Sequence, residues 1–125
     1  MMSIKNISKS FGKLKVLNDV NLKCNKGVCI ALIGPNGCGK TTLIKSILGM
    51  VLPDSGEILI DGTNIPGQHL YRNKIGYMPQ IGRYPDNMTI GQIIQMIKFI
   101  RKPSGETDEY LLRNFKLEQM YNKRM

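Results

Sequence analysis

The segment Gly34-Pro35-Asn36-Gly37-Cys38-Gly39-Lys40-Thr41 repeats the spacing G-x-x-x-x-G-K-S/T, and it lies between the apolar run Val28 to Ile33 and a helical pattern. Few features constrain a fold so tightly. Glycines let several backbone N–H groups converge on one point, and a helix starting there adds the positive end of its dipole. A lysine and a hydroxyl at the last two positions complete a cradle for phosphate oxygens and a divalent cation. The loop needs a buried strand before it and a helix after it. The spacing therefore predicts an ATP and Mg²⁺ site at Gly34 to Thr41, against the plainer reading of a structural glycine turn.

Both flanks read as the loop requires. Val28-Cys29-Ile30-Ala31-Leu32-Ile33 is apolar at every position, as in a central strand buried on both faces. From Lys40 to Leu48, the residues Leu43, Ile44, Ile47 and Leu48 fall at helical spacing, and Gly49 is placed to end the helix. Upstream, Ile4 to Ile7 and Val16 to Leu22 predict half-buried strands in an antiparallel start, with Val16, Val20 and Leu22 on one face. Pro53-Asp54-Ser55-Gly56 and Asp61-Gly62 are turns around a strand at Ile58-Leu59-Ile60, and Lys74 to Met78 predicts another strand stopped by Pro79. Thr89 and Gln92 form a capping-box pair ahead of a helix carrying Ile90, Ile93, Ile94, Ile97 and Ile100. A second amphipathic helix is expected to begin near Thr107 or Asp108, after Pro103-Ser104-Gly105, with Leu111, Leu112 and Phe115 on its inner face.

Composition removes several classes of function. A chain of 125 residues with 42% hydrophobic content can bury a core. No apolar run approaches the roughly 18 residues of a membrane-spanning helix, and Met1 to Asn6 lacks the apolar core of a signal peptide. Cys24, Cys29 and Cys38 form no Cys-x-x-Cys pair, so neither a disulfide framework nor a zinc site is suggested, and reduced thiols suit the cytoplasm. The formal charge of +9 fits a solvated basic face and also a docking surface for an acidic partner. Nucleic acid is not expected, because 6% aromatic content without Trp offers no stacking platform. Cys38 is read as a space-filling side chain whose backbone N–H serves phosphate, and its alkylation is expected to block nucleotide binding.

Several further stretches resemble the ATP-binding cassette proteins, the motor subunits of ABC transporters. Ser8-Lys9-Ser10-Phe11-Gly12 is similar to the A-loop, which sets an aromatic ring against adenine. The alternative for Phe11 is a core aromatic. Leu32-Ile33-Gly34-Pro35-Asn36-Gly37 is the cassette form of the phosphate loop, Pro53-Asp54-Ser55-Gly56-Glu57-Ile58 resembles the turn after the phosphate-loop helix, and Asp61-Gly62 matches as well. Ile75-Gly76-Tyr77-Met78-Pro79-Gln80 resembles the strand ending in the Q-loop, and Met88-Thr89-Ile90-Gly91-Gln92 the entry to a helical subdomain. Met78 to Pro85 looks like exporter-type cassettes, of a metal-handling or multidrug kind.

The resemblance covers the whole chain and implies an α/β fold: a P-loop NTPase (RecA-like) core with an antiparallel β-subdomain, 1-87, and the start of a helical subdomain, 88-125. It implies nucleotide contacts from Phe11, Val16, Gly34, Pro35, Asn36, Gly37, Cys38, Gly39, Lys40, Thr41 and Thr42, and Mg²⁺ contacts from Thr41 and Gln80. It also implies a membrane-spanning transporter subunit met through the Q-loop and helical subdomain, a homo- or heterodimer of cassettes, and a cytoplasmic place peripheral to the membrane.

The family's Leu-Ser-Gly-Gly-Gln signature, its Walker B strand ending in Asp-Glu and its switch histidine are absent from this sequence. Ile58-Leu59-Ile60-Asp61 imitates Walker B, but Gly62 stands where the glutamate belongs, and His69 precedes the Q-loop. A truncated cassette is therefore expected, whether an interrupted gene product, an incomplete reading frame or a fragment. It has no assigned catalytic residue and no meaningful hydrolysis of its own. The competing reading to an ATPase subunit is a nucleotide-binding remnant. A kinase, a GTPase or a DNA-associated cassette fits the loop but not Phe11 and Gln80 together. Without neighbouring parallel strands the Val28 to Ile33 strand would have an open edge, which invites aggregation.

Overall fold

Alternating apolar residues at the start of the chain form two long strands, β1 (Met2–Phe11) and β2 (Leu14–Cys24), joined by a Gly12-Lys13 turn. The computed structural model describes residues 1–101 and 109–124. In it β1 and β2 pair antiparallel, with Ile4 opposite Leu22 and Ile7 opposite Val20. The other edge of β1 takes β3 (Ser55–Ile60), with Ile4 opposite Ile58, and the short β4 (Thr63–Asn64) pairs with β3 in turn. The order is β2-β1-β3-β4, and neighbouring strands are antiparallel throughout.

The expected antiparallel start is present, but its inward face is not the one parity predicts. Asp19 adopts φ 51, and the register shifts between Ile7 and Lys9. An inserted residue turns the side chains beyond it to the opposite face. Leu17 is consequently buried and packs with Val20 and Leu22, while Val16 stays half-buried.

The helix α1 (Lys40–Ile47) covers this sheet through Leu43, which joins Ile4, Ile7, Leu17, Ile58 and Ile65 in one core. Burying each isoleucine contributes on the order of 1.5–3 kcal/mol. Gly49 ends the helix as expected. Its N–H donates to Ser46 O at 3.0 Å and the Met50 N–H to Lys45 O at 2.8 Å, a Schellman pair closed by a glycine at φ 67.

Two expected strands do not form. Val28 to Ile33 runs without ladder partners and is exposed, Ile33 to 89%. An apolar run becomes a buried strand only when other strands pair with it and helices cover it, and none of the described residues pairs with this one. Likewise Lys74 ends a 3-10 helix, Leu70–Lys74, and Ile75 to Met78 belongs to no strand of the sheet.

Two compact units divide the chain, Met1–Ile75 and Gly76–Met125. In the second, α2 (Ile90–Arg101) begins with the expected capping box. The Thr89 N–H donates to Gln92 Oε1 at 2.9 Å, and the Gln92 N–H to Thr89 Oγ1 at 3.3 Å. The amides of Ile90 and Gly91 donate to Lys123 O and Tyr121 O, at 3.0 and 3.1 Å. Lys98 binds Glu109 at 2.6 Å ahead of α3 (Tyr110–Asn114). Leu112 is half-buried, but Leu111 and Phe115 are exposed, against expectation: α3 is little more than one turn long, and Phe115 already lies past its end. The expected Pro103-Ser104-Gly105 break and the helix start at Thr107 or Asp108 lie outside the described residues. Among those residues no helix is long and apolar enough to cross a membrane.

Candidate nucleotide site

The loop leaves the extended Val28 to Ile33 segment, turns at Asn36-Gly37 and enters α1 at Lys40. The Cys38 N–H points back to Pro35 O at 3.4 Å. The Lys40 ammonium folds back over the loop, donating to Gly34 O at 2.6 Å and Pro35 O at 2.7 Å, with Cys38 Sγ 3.5 Å away. A cation is thus held between two backbone carbonyls of the loop.

Gly39 explains how the loop can lie so close to β2. It sits at φ 96 as the N-cap of α1, and a Cβ there would come 2.7 Å from Val16 O and 3.0 Å from a Leu17 methyl. Any side chain would therefore push the loop off β2. This close approach sets Val16 beside the loop. The head of α1 carries no side-chain cap and no acidic residue in its first turn, so the positive end of its dipole has no counter-charge from the helix itself. Thr41 is exposed in that turn, with Thr42 half-buried after it.

Phe11 stands at the tip of the β1–β2 hairpin, opposite Leu14, and is 51% exposed. It is no core aromatic. One face carries the Lys9 ammonium, 5.5 Å from the ring centroid. Gln80 lies in the second unit, exposed, just after Pro79. Asp61 is the turn residue between β3 and β4. It is bound to the Met1 ammonium at 2.7 Å and to Lys74 at 3.5 Å, which hold its carboxyl below the usual aspartate range. That environment suits a surface turn and not a Walker B metal partner. Near Phe11, Lys9 falls in the A-loop-like stretch of the sequence and Asp54 in a turn, and the sequence alone does not pair them. Their ion pair of 2.6 Å spans 45 positions, and no local pattern announces it.

The sequence matches the ABC transporter family profile over residues 17–125. The chain belongs to the ABC transporter family. Among its relatives, the choline transport ATP-binding protein OpuBA of Bacillus subtilis is 43% identical over 96% of this chain and 32% of its own length. The sulfate/thiosulfate import ATP-binding protein CysA of Pectobacterium atrosepticum is 40% identical over 63% of the chain and 24% of its own length. A solved ATP-binding subunit of an ABC transporter superposes with a TM-score of 0.83 at 29% identity, over 99% of this chain and 54% of that one. The ADP conformation of another cassette gives 0.74 at 29%, over 99% and 57%. The cassette fold is thereby established for this chain, which spans about a third of the length of OpuBA. A Nod factor export protein of Ralstonia nicotianae, 33% identical over 77% of this chain and 30% of its own length, stands beside the import protein. The exporter-like look of Met78 to Pro85 thus selects no direction.

Proposed function

We propose that this chain binds ATP and Mg²⁺ at Gly34 to Thr41 and is the nucleotide-binding part of an ABC transporter ATP-binding subunit. The observation that carries the reading is the Lys40 ammonium, seated between the Gly34 and Pro35 carbonyls at the uncapped head of α1. Phosphate oxygens would draw Lys40 out of that seat and occupy the amides of Gly37 to Thr41. Pro35, Asn36 and Thr42 flank the anion, and Phe11 with Val16 receives the adenine and ribose side. Thr41 would hold Mg²⁺, and the family resemblance gives Gln80 the same role. When bound, the metal neutralises charge on the β- and γ-phosphates.

In this reading 1-87 serves as the ATP-binding core with its β-subdomain, and 88-125 as the part of the helical subdomain that meets a membrane-spanning subunit. The protein sits on the cytoplasmic side, pairs with a second cassette, and drives transport by hydrolysis when the signature and Walker B residues are supplied. The 125-residue chain alone holds nucleotide without turning it over, because its sequence contains neither the Walker B aspartate nor the glutamate that orients the attacking water. Isothermal titration of Mg·ATP tests the site. Lys40→Ala is expected to weaken binding at least about tenfold, the worth of a charge-assisted hydrogen bond. Unchanged affinity removes the site, and ATP turnover by this chain that Lys40→Ala abolishes removes the claim of inactivity.

A further inference from the structure

Asp54 reaches back from the turn after α1 to the end of β1. Its Oδ1 accepts from Lys9 Nζ at 2.6 Å and its Oδ2 from the Ser10 N–H at 2.7 Å, while its own N–H donates to Ser8 O at 2.9 Å. The carboxylate therefore grips both the side chain and the backbone just before Phe11. Lys9 and Phe11 are two residues apart on one strand, so they project to the same face, and the ammonium lies over the ring. Lys9 is only 17% exposed, although it is a lysine near a hairpin tip. It is pinned rather than solvated.

We propose that Asp54 is a positioning residue for the adenine platform: it clamps the Lys9 ammonium against one face of Phe11 and so reserves the opposite face for the base. This rests on the reading of Phe11 as the residue that receives adenine. A cation on one face draws the ring's electron density toward it. The other face becomes less negative and a better partner for an electron-rich purine. The same turn is the continuation of α1, so the phosphate helix and the base platform are joined through one carboxylate. Hydrogen bonds from Lys9, first, and from the Ser10 amide hold the Asp54 carboxyl below its ordinary value, so it stays charged at neutral pH.

The test titrates the full chain with two probes, Mg·ATP and tripolyphosphate. Asp54→Asn and Lys9→Met are each expected to weaken ATP binding about three- to tenfold and leave tripolyphosphate binding unchanged, as the loss of a cation–π-supported stack requires. Lys9→Arg, which keeps a cation over the ring, is expected to restore the parent affinity. Equal loss of both probes marks a merely structural role and overturns the proposal, as does failure of the arginine to restore binding. Phe11→Ala separates the two levels. If it leaves ATP affinity unchanged, the adenine reading falls and takes this one with it. If it weakens ATP while Asp54→Asn does not, only the positioning role falls.

Discussion

Cys38 is exposed in the loop, with its Sγ 3.5 Å from the Lys40 ammonium. A group attached to that sulfur would crowd the seat of the lysine and the amides around it. Treatment with iodoacetamide is expected to lower ATP affinity by at least about tenfold, or about 1.4 kcal/mol. Cys29 is also exposed, so the Cys38→Ser variant supplies the control: its affinity is expected to survive the same treatment. Loss of binding in both proteins would assign the effect elsewhere. At this scale the sequence was most legible where neighbours in the chain are neighbours in space. Gly34 to Thr41 is one such stretch, since Lys40 contacts residues five and six positions earlier. Lys9 and Asp54 were opaque because their partnership depends on β1 and the turn after α1 meeting in three dimensions.

The elements divide along the same line. Gly49 and the Thr89/Gln92 box could be read from local chemistry, because each satisfies its hydrogen bonds within a turn of the helix it bounds. Thr89→Ala removes the acceptor for the Gln92 amide and is expected to destabilise α2 by about 1 kcal/mol. Urea unfolding monitored by far-UV circular dichroism checks this, and a midpoint equal to the parent's would refute it. Strands obey longer rules. The hairpin of β1 and β2 was visible in its alternation, yet the bulge at Asp19 moved Leu17 inward in place of Val16, since register depends on both strands at once. Val28 to Ile33 and Lys74 to Met78 have strand composition but belong to none of the strands among the described residues. Composition reports what a segment can bury, whereas pairing reports what lies beside it.

The cassette fold was readable for the molecule as a whole, because the phosphate loop, the A-loop-like hairpin and the Q-loop-like stretch stand in the family's order. How those pieces are finished was less so. The sheet ends at β2 on one side and β4 on the other, and the run from Val28 to Ile33 lies outside it, with Val28, Ile30, Leu32 and Ile33 all open to solvent. That run has a colloidal consequence. The formal charge of +9 makes copies of the chain repel one another, and this repulsion is the main force keeping their sticky segments apart. Raising salt from about 0.05 to about 0.5 M shortens the reach of that repulsion severalfold but does not weaken apolar attraction. Static light scattering is expected to show the second virial coefficient falling toward negative values over this range, and Ile33→Lys to blunt the fall. A coefficient indifferent to salt would contradict it. The concentration at which this protein stays dispersed is then expected to depend on its ionic surroundings.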